Sequence, residues 1–231
     1  MQFTKGKLLY DNPLASAEHI RDFRLEGDAC ITFPRARTRM ENAYERHEEE
    51  ALHANFVLWC DHDFPDSIAV SWDFQPLTDA GLAMFWLAAK GRNGEDLFDH
   101  CLKPRNGDYQ QYHHGDIDAL HASYYRRNPG EISFRTCNLR KSYGFHLVCQ
   151  SGDPLPDARY ALRPYRIEVV KCGPHVRFSM NDVVLFHWVD DQKTCGSVLT
   201  GGKIGFRQMA GLIADYANLR VHAVELTSHS S

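Results

Sequence analysis

Apolar and polar residues alternate one by one along much of the chain, most plainly toward its end. There YRIEVVKCG (from Tyr165) and VRFSM lead into Asn181-Asp182, and VVLFHWVDD follows. A period of two puts successive side chains on opposite faces of a pleated strand. Asn and Asp tolerate the positive φ of a two-residue turn, so these runs predict a β-hairpin. GKIGFRQM (Gly202 to Met209) and ADYANLRVHAVEL (from Ala214) predict two further strands. NFVLWC, DSIAVSWDFQP and GLAMFWLAAKG predict three more, separated by Asp, Pro and Gly clusters. ALHASYYRR and EISFRTCNLR predict an antiparallel pair around the turn signal Asn128-Pro129-Gly130. Helical signals are sparse. Ser16 suits the cap of a short turn through AEHIRDF, and ENAYERHEEEALHA (Glu41 to Ala54) has a helix-forming composition. The most polar stretches, Arg35 to Glu50 and Lys103 to Asp118, are expected to be long loops.

Short strands punctuated by turn signals point to an all-β sandwich. At 231 residues the chain matches one such sandwich, since all-β domains run to roughly 200–250 residues. A single domain over residues 1–231 is expected, with the first strand (Lys7 to Tyr10) beside the last (Leu219 to Glu225). The net charge of −4 comes from interspersed acids and bases, which argues against a nucleic-acid partner. No apolar run is long enough for a membrane helix, and MQFTKGKLLYDNPLAS has no apolar signal-peptide core. The seven cysteines include no CxxC pair. Free thiols and a cytoplasmic location are therefore expected.

The order of an Asn-Asp hairpin, an aromatic-Trp strand ending in Asp, GKIGFRQM and a final strand resembles the concanavalin A-like lectin and glucanase superfamily. The blocks YDNPL, SWDFQP, GEDLFD, YHHGDIDALHASYYRR, FRTCNLRKSYGFHL and DPLP more closely resemble the YesU-like family, a bacterial family of unknown function numbered 1961. They run, with GKIGFRQM, from Tyr10 to Met209. The resemblance implies a jelly roll of two packed antiparallel sheets with a concave ligand face. It also implies a cytoplasmic protein linked to the breakdown of acidic plant polysaccharides such as pectin. It supplies no catalytic residues, so those are argued from chemistry.

In ALHASYYRR, alternation assigns Leu120, Ala122 and Tyr124 to the core and His121, Ser123, Tyr125 and Arg127 to a polar groove. Imidazole and phenol side chains suit base and acid roles on one sugar ring. The plainer alternative is a solvated sheet face. In FRTCNLRKSYGFHL, Arg135, Asn138, Arg140, Lys141 and His146 supply the donors that a uronate carboxylate requires. Arg135, however, falls in register with Cys137 and Leu139. That break implies a bulge, or an Arg held by its own carboxylate partner.

The acids Asp73, Glu95, Asp96, Asp116 and Asp118 are candidates for a glycosidase pair, which needs carboxylates roughly 5–10 Å apart. The glucanase Glu-x-Asp-x-x-Glu motif is not among them, and the Gly-marked loops favour turn capping. His113, His114 and Asp116 form a loop cluster that is imidazole-rich for calcium and lacks zinc spacing. No metal or other cofactor is expected. Trp59, Trp72, Trp86 and Trp188 read mainly as core, with Trp86 chosen over Phe85 to face the groove. Arg207 is expected to be buried at a sheet centre with Asp73 as partner.

These readings favour an enzyme that cleaves uronate-containing oligosaccharides by β-elimination. His121, Tyr125, Arg135 and Asn138 are its expected catalytic residues. Trp86, Glu95, His113, Asp116, Arg127, Arg140, Lys141 and His146 are expected to bind substrate. A glycoside hydrolase and a non-catalytic carbohydrate-binding module are the alternatives, since one sandwich hosts all three.

Overall fold

The computed structural model describes residues 2–43, 55–128 and 135–227. Two antiparallel sheets pack face to face. The first runs β13 (Val183–Val189), β12 (His175–Met180), β11 (Tyr165–Cys172), β6 (Ile68–Pro76), β15 (Ala214–Thr227), β4 (Thr38–Asn42), β3 (Ala29–Thr32), with β1 (Gln2–Asn12) also on β15. The second runs β10 (His146–Gly152), β9 (Thr136–Ser142), β8 (Ile117–Arg127), β7 (Gly81–Gly91), β14 (Gly202–Met209), β5 (Phe56–Phe64), β2 (Phe23–Glu26). Tyr10 faces Val221 and Asn12 faces Leu219, so the first and last strands pair as expected.

Period-two alternation builds the core. Val70, Trp72 and Phe74 of β6 meet Phe85 and Leu87 of β7, Tyr124 of β8 and Phe206 of β14. Trp72 stacks on Phe85 with centroids 4.2 Å apart and donates its indole N–H to the Tyr124 hydroxyl at 3.2 Å. Burying the polar tip is tolerable because it has that partner. The hairpin turn at Asn181-Asp182 has φ of 45° and 66°, as its residue types require.

Three local expectations need correction. Thr38–Asn42 is a strand paired with β15 and β3, so the polar stretch from Arg35 is not one loop. This strand also takes in the start of the expected Glu41 to Ala54 helix, whose residues 44–54 lie outside the described set, as do Pro129 and Gly130 of the turn before β9. Ala17–Ile20 forms a 3-10 turn, but Ser16 makes no side-chain cap. All seven cysteines are unpaired.

The alternation in β8 fails at Tyr125, which has φ 51° where the register with β7 shifts between Ala83–Tyr124 and Gly81–Arg127. A bulge there turns Tyr125 to the same side as Tyr124, into the core. Asp153 fixes the distortion. Its carboxylate accepts the Tyr125 N–H at 3.0 Å, the Leu155 N–H at 3.0 Å and a guanidinium N–H of Arg127 at 3.0 Å. Removing one member of a buried pair leaves the other charge uncompensated. Asp153→Ala is therefore expected to destabilise the fold by on the order of 3 kcal/mol, read as a lowered urea midpoint with an unchanged m-value.

Candidate functional site

The side of the seven-stranded sheet that faces away from the core carries two adjacent rows. In the first, Trp59, Gly205, Trp86, His121 and Arg140 sit side by side on β5, β14, β7, β8 and β9. In the second, the same strands supply Val57, Arg207, Met84, Ser123 and Asn138. Gly205 is required here, because a Cβ would lie 2.5 Å from the Trp59 ring. Trp86 faces outward and Phe85 inward.

The segment 92–116 folds over this face and buries part of it. Leu97, Tyr112 and the flanking Tyr109 pack on Trp59 and Trp86 in a second apolar cluster. Arg105 holds the segment down through a buried pair with Glu26 at 2.7 Å, while Glu26 also accepts the Trp59 indole N–H at 2.8 Å. Asx turns shape the rest: Asp96 caps Phe98, Asp99 caps Cys101 and Asp108 caps Gln110 at the start of α1 (Gln110–His113). Gly107 has φ 97°, and a Cβ there would lie 1.7 Å from the Asn55 carbonyl oxygen. Trp86 is thus fully covered, like His121 and Arg207 beside it, and offers no ring face to a sugar while the segment is closed.

Beneath the segment lies Arg207, with no exposed surface. The Tyr109 and Tyr112 rings flank its guanidinium at 4.8 and 5.1 Å. Nη2 donates to the Gly107 carbonyl at 2.9 Å, whereas Nε and Nη1 are buried without partners. Among the described residues no carboxylate pairs with it. Asp73, its expected partner, is on the other sheet, bonded to Asn218 and beside Arg166. Lys203 on the same strand makes the contrast. Its ammonium meets Asp61, Asp96 and Asp63 at 3.0, 2.9 and 3.4 Å.

Tyr109 links Arg207 to His121. The phenol oxygen lies 2.7 Å from His121 Nε2, and His121 packs on Trp86 with centroids 4.2 Å apart. Burial, reinforced by the positive charges of Arg140 and Arg207, drives the His121 pKa well below the ordinary imidazole value. Burial also raises the Tyr109 phenol. Both groups are therefore neutral near pH 7. His121 Nδ1, Asn138 Oδ1 and Trp86 Nε1 are further buried polar atoms without partners. Orphaned polar atoms normally cost stability, so five on one face mark a place for water or ligand. Phe145 closes the side, with Arg140 stacked on it at 3.9 Å and His113 at 4.4 Å between ring centroids. Burial and His114 depress the His113 pKa to about 4.

Of the expected catalytic residues, His121 and Asn138 come together here, joined by Trp86, Arg140 and His113. Tyr125 does not, because the bulge turns it inward, where its hydroxyl donates to Asp79 at 2.8 Å or to the Thr78 carbonyl at 3.0 Å. Arg127 and Arg135 belong to an ion-pair cluster at the strand end, with Asp157 at 3.3 and 2.6 Å. Lys141 points to the other side of β9, held by Asp190 at 2.6 Å and by the Gly196 and Ser197 carbonyls. Glu95 accepts from Asn93, and Asp116 accepts the Lys103 N–H at 2.7 Å; both stabilise turns. His146 is exposed against Gly144. Sequence reasoning missed Tyr109 because it sits in a polar loop without periodicity. It missed the role of Arg207 because a partner was assumed for it.

The depressed His121 pKa has a consequence for stability. In the unfolded chain this imidazole takes a proton near pH 6.5; in the folded protein it stays neutral. Below that pH the unfolded state binds more protons, so stability falls as pH drops, by up to about 1.4 kcal/mol per unit. His121→Gln is expected to flatten the stability profile between pH 6.5 and about 5 relative to wild type, by urea unfolding at each pH.

The comparisons with known proteins agree with this architecture. A solved Bacillus subtilis protein described as having a galectin-like fold superposes with TM-score 0.92 and 45% identity, covering 98% of this chain and 100% of that one. More distant structures share the fold alone. The carbohydrate-binding module CBM66 from Bacillus subtilis has TM-score 0.53 and 9% identity over 87% of this chain and 96% of its own. LamA from Z. galactanivorans, in complex with laminaritriose and laminaritetraose, has TM-score 0.59 and 7% identity over 95% and 100%. In sequence, the chain is 47% identical over 221 residues to the uncharacterized protein YesU of Bacillus subtilis strain 168, spanning 95% of this chain and 97% of that protein. With residues 7–221 also matching the model of the domain of unknown function DUF1961, the chain belongs to the DUF1961 family.

Proposed function

We propose that the outer face of the seven-stranded sheet binds an acidic oligosaccharide and cleaves it by β-elimination. The observation that carries this reading is the buried Arg207, with two unbonded guanidinium nitrogens and, among the described residues, no carboxylate in an ion pair with it, beside a Tyr109–His121 hydrogen bond. An uncompensated buried cation favours an anion, and a planar fork favours a carboxylate. That the distant fold relatives include a carbohydrate-binding module and a protein solved with laminaritriose supports a saccharide as the ligand class. The unpaired cysteines support action in a reducing compartment.

In this reading the 92–116 segment opens to admit the sugar and recloses over it, since Arg207 and His121 have no exposed surface beneath it. Arg207 then neutralises the uronate carboxylate, which acidifies the C5 proton. Neutral His121 accepts that proton. The C5–H electron pair becomes the C4=C5 double bond as the C4–O bond breaks, and the Tyr109 phenol protonates the departing oxygen. The hydrogen bond between them then carries a proton from imidazolium to phenolate. Asn138 and Arg140 orient the sugar.

The test is a panel of pectic and other uronate oligosaccharides, followed for unsaturated-uronate absorbance and for reducing ends. New absorbance is expected, and it should fall at least about 100-fold in Tyr109→Phe, the lower range for general acid–base catalysis. Tyr125→Phe, whose hydroxyl is already spent on Thr78 and Asp79, should retain it. Reducing ends without absorbance would replace elimination by hydrolysis, and binding without either would leave a carbohydrate-binding module. Full activity in Tyr109→Phe would end the assignment of the dyad.

A further inference from the structure

A cavity lies at the end of the same sheet, between the end of β7, the start of β8, the end of β9 and the 195–200 segment. Its volume is about 440 Å³, within the roughly 300–1,000 Å³ of small-ligand clefts. Lys90, Arg92, Asp118, Ser142 and Tyr143 line it. We propose that this cavity is a second subsite for an acidic sugar, with the carboxylate on Lys90 and Arg92 and hydroxyls on Asp118 and Ser142. The choice of a sugar rests on the function proposed above; the site itself rests on the following geometry.

Ser142 is 1% exposed, and its hydroxyl has no hydrogen-bond partner. Among the described residues neither Lys90 nor Arg92 has an ion-pair partner within 4 Å; Asp118 shares the cavity and offsets part of their charge, so two cations face one carboxylate there. The Arg92 guanidinium lies 4.1 Å above the Tyr143 ring, which fixes its plane while leaving its edge open to a carboxylate. Asp118 accepts the Tyr143 N–H at 3.1 Å through one oxygen, and the other remains for a sugar hydroxyl. The opposite wall is built rather than loose: the buried Lys141 ammonium holds the Gly196 and Ser197 carbonyls at 3.1 and 2.6 Å.

Arg92 and Asp118 also line an adjoining cleft of about 550 Å³ with Glu95 and Asp116. The two spaces therefore meet at one Arg–Asp boundary. Asp118 precedes His121 by three residues on β8, roughly 10 Å along an extended strand. That odd spacing turns Asp118 to the opposite side of β8 from His121, as Lys141 is turned from Arg140 on β9, so the cavity is a separate site that the Tyr109–His121 pair does not share.

The test titrates galacturonate into ¹⁵N-labelled protein and follows the amides of Tyr143 and residues 195–200 separately from those of Tyr109 and His121. The cavity amides are expected to shift, and Arg92→Ala should weaken that titration about tenfold, as loss of a charge-assisted hydrogen bond does. Ser142→Ala should weaken it less, and galactose should bind more weakly than galacturonate. Cavity amides that stay still, or that shift equally in Arg92→Ala, would overturn the subsite. So would equal shifts with galactose or with inorganic phosphate. Failure of the elimination assay alongside shifting cavity amides would remove the catalytic reading and leave the subsite, whereas unsaturated product with silent cavity amides would do the reverse.

Discussion

The site is organised around a guanidinium that the fold buries without, among the described residues, an ion-pair partner. Taking an ion out of water costs several kcal/mol even after relaxation, and proteins normally recover this with a carboxylate. Arg207 receives instead two tyrosine faces and one backbone carbonyl. Each weakens the penalty without cancelling the charge, since cation–π contacts contribute only about 0.5–2 kcal/mol. Four residues away, Lys203 meets three carboxylates. The same strand thus carries one cation used for structure and one left with free valence.

Holding Arg207 in that state requires the covering segment. Residues 92–116 have little regular structure, so their position depends on a few strong attachments. The Glu26–Arg105–Trp59 clamp anchors the middle, and Tyr112 and Leu97 bury the apolar side. The Gly107 carbonyl that Arg207 bonds belongs to this segment, as does Tyr109. Solvation of the cation, placement of the phenol and docking of the segment are consequently one event. A change at Arg105, far in sequence from both, would disturb all three.

The fold was legible because period-two alternation survives wherever one face of a strand meets the core. GLAMFWLAAKG and GKIGFRQM map directly onto β7 and β14. The short edge strands β2 and β3 were not legible, having four residues each and little burial to impose a pattern. Part of the site was legible: His121 follows from parity, Asn138 and Arg140 were picked out by the donors crowded into one stretch, and parity narrowed the groove-facing aromatic to Trp86 or Phe85. Tyr125 did not follow, because a bulge adds one residue and reverses every face beyond it. The break in register at Arg135 was visible, and its explanation is the Asp157 partner. Arg127, which carries the same pattern, is explained by Asp153 and Asp157. Tyr109 was not legible at all, since a side chain delivered by an irregular segment leaves no period in the sequence.

The exchange of Tyr125 for Tyr109 changes the physics of the pair. A tyrosine four residues from His121 on one strand would be fixed by the sheet, at a separation set by the pleat. A tyrosine brought by a covering segment reaches hydrogen-bonding distance, 2.7 Å, because the segment approaches from above rather than alongside. Its position is then only as secure as the segment. The free valence of Arg207 bears on that security. An anion bound at Nε and Nη1 would strengthen the environment of a cation whose third contact is the segment's own carbonyl at Gly107. Any ligand that binds the folded state alone stabilises it by mass action. Here that stabilisation would fall on the cation, the carbonyl and the phenol together, so that an anion bound at Arg207 would itself secure the segment that carries Tyr109.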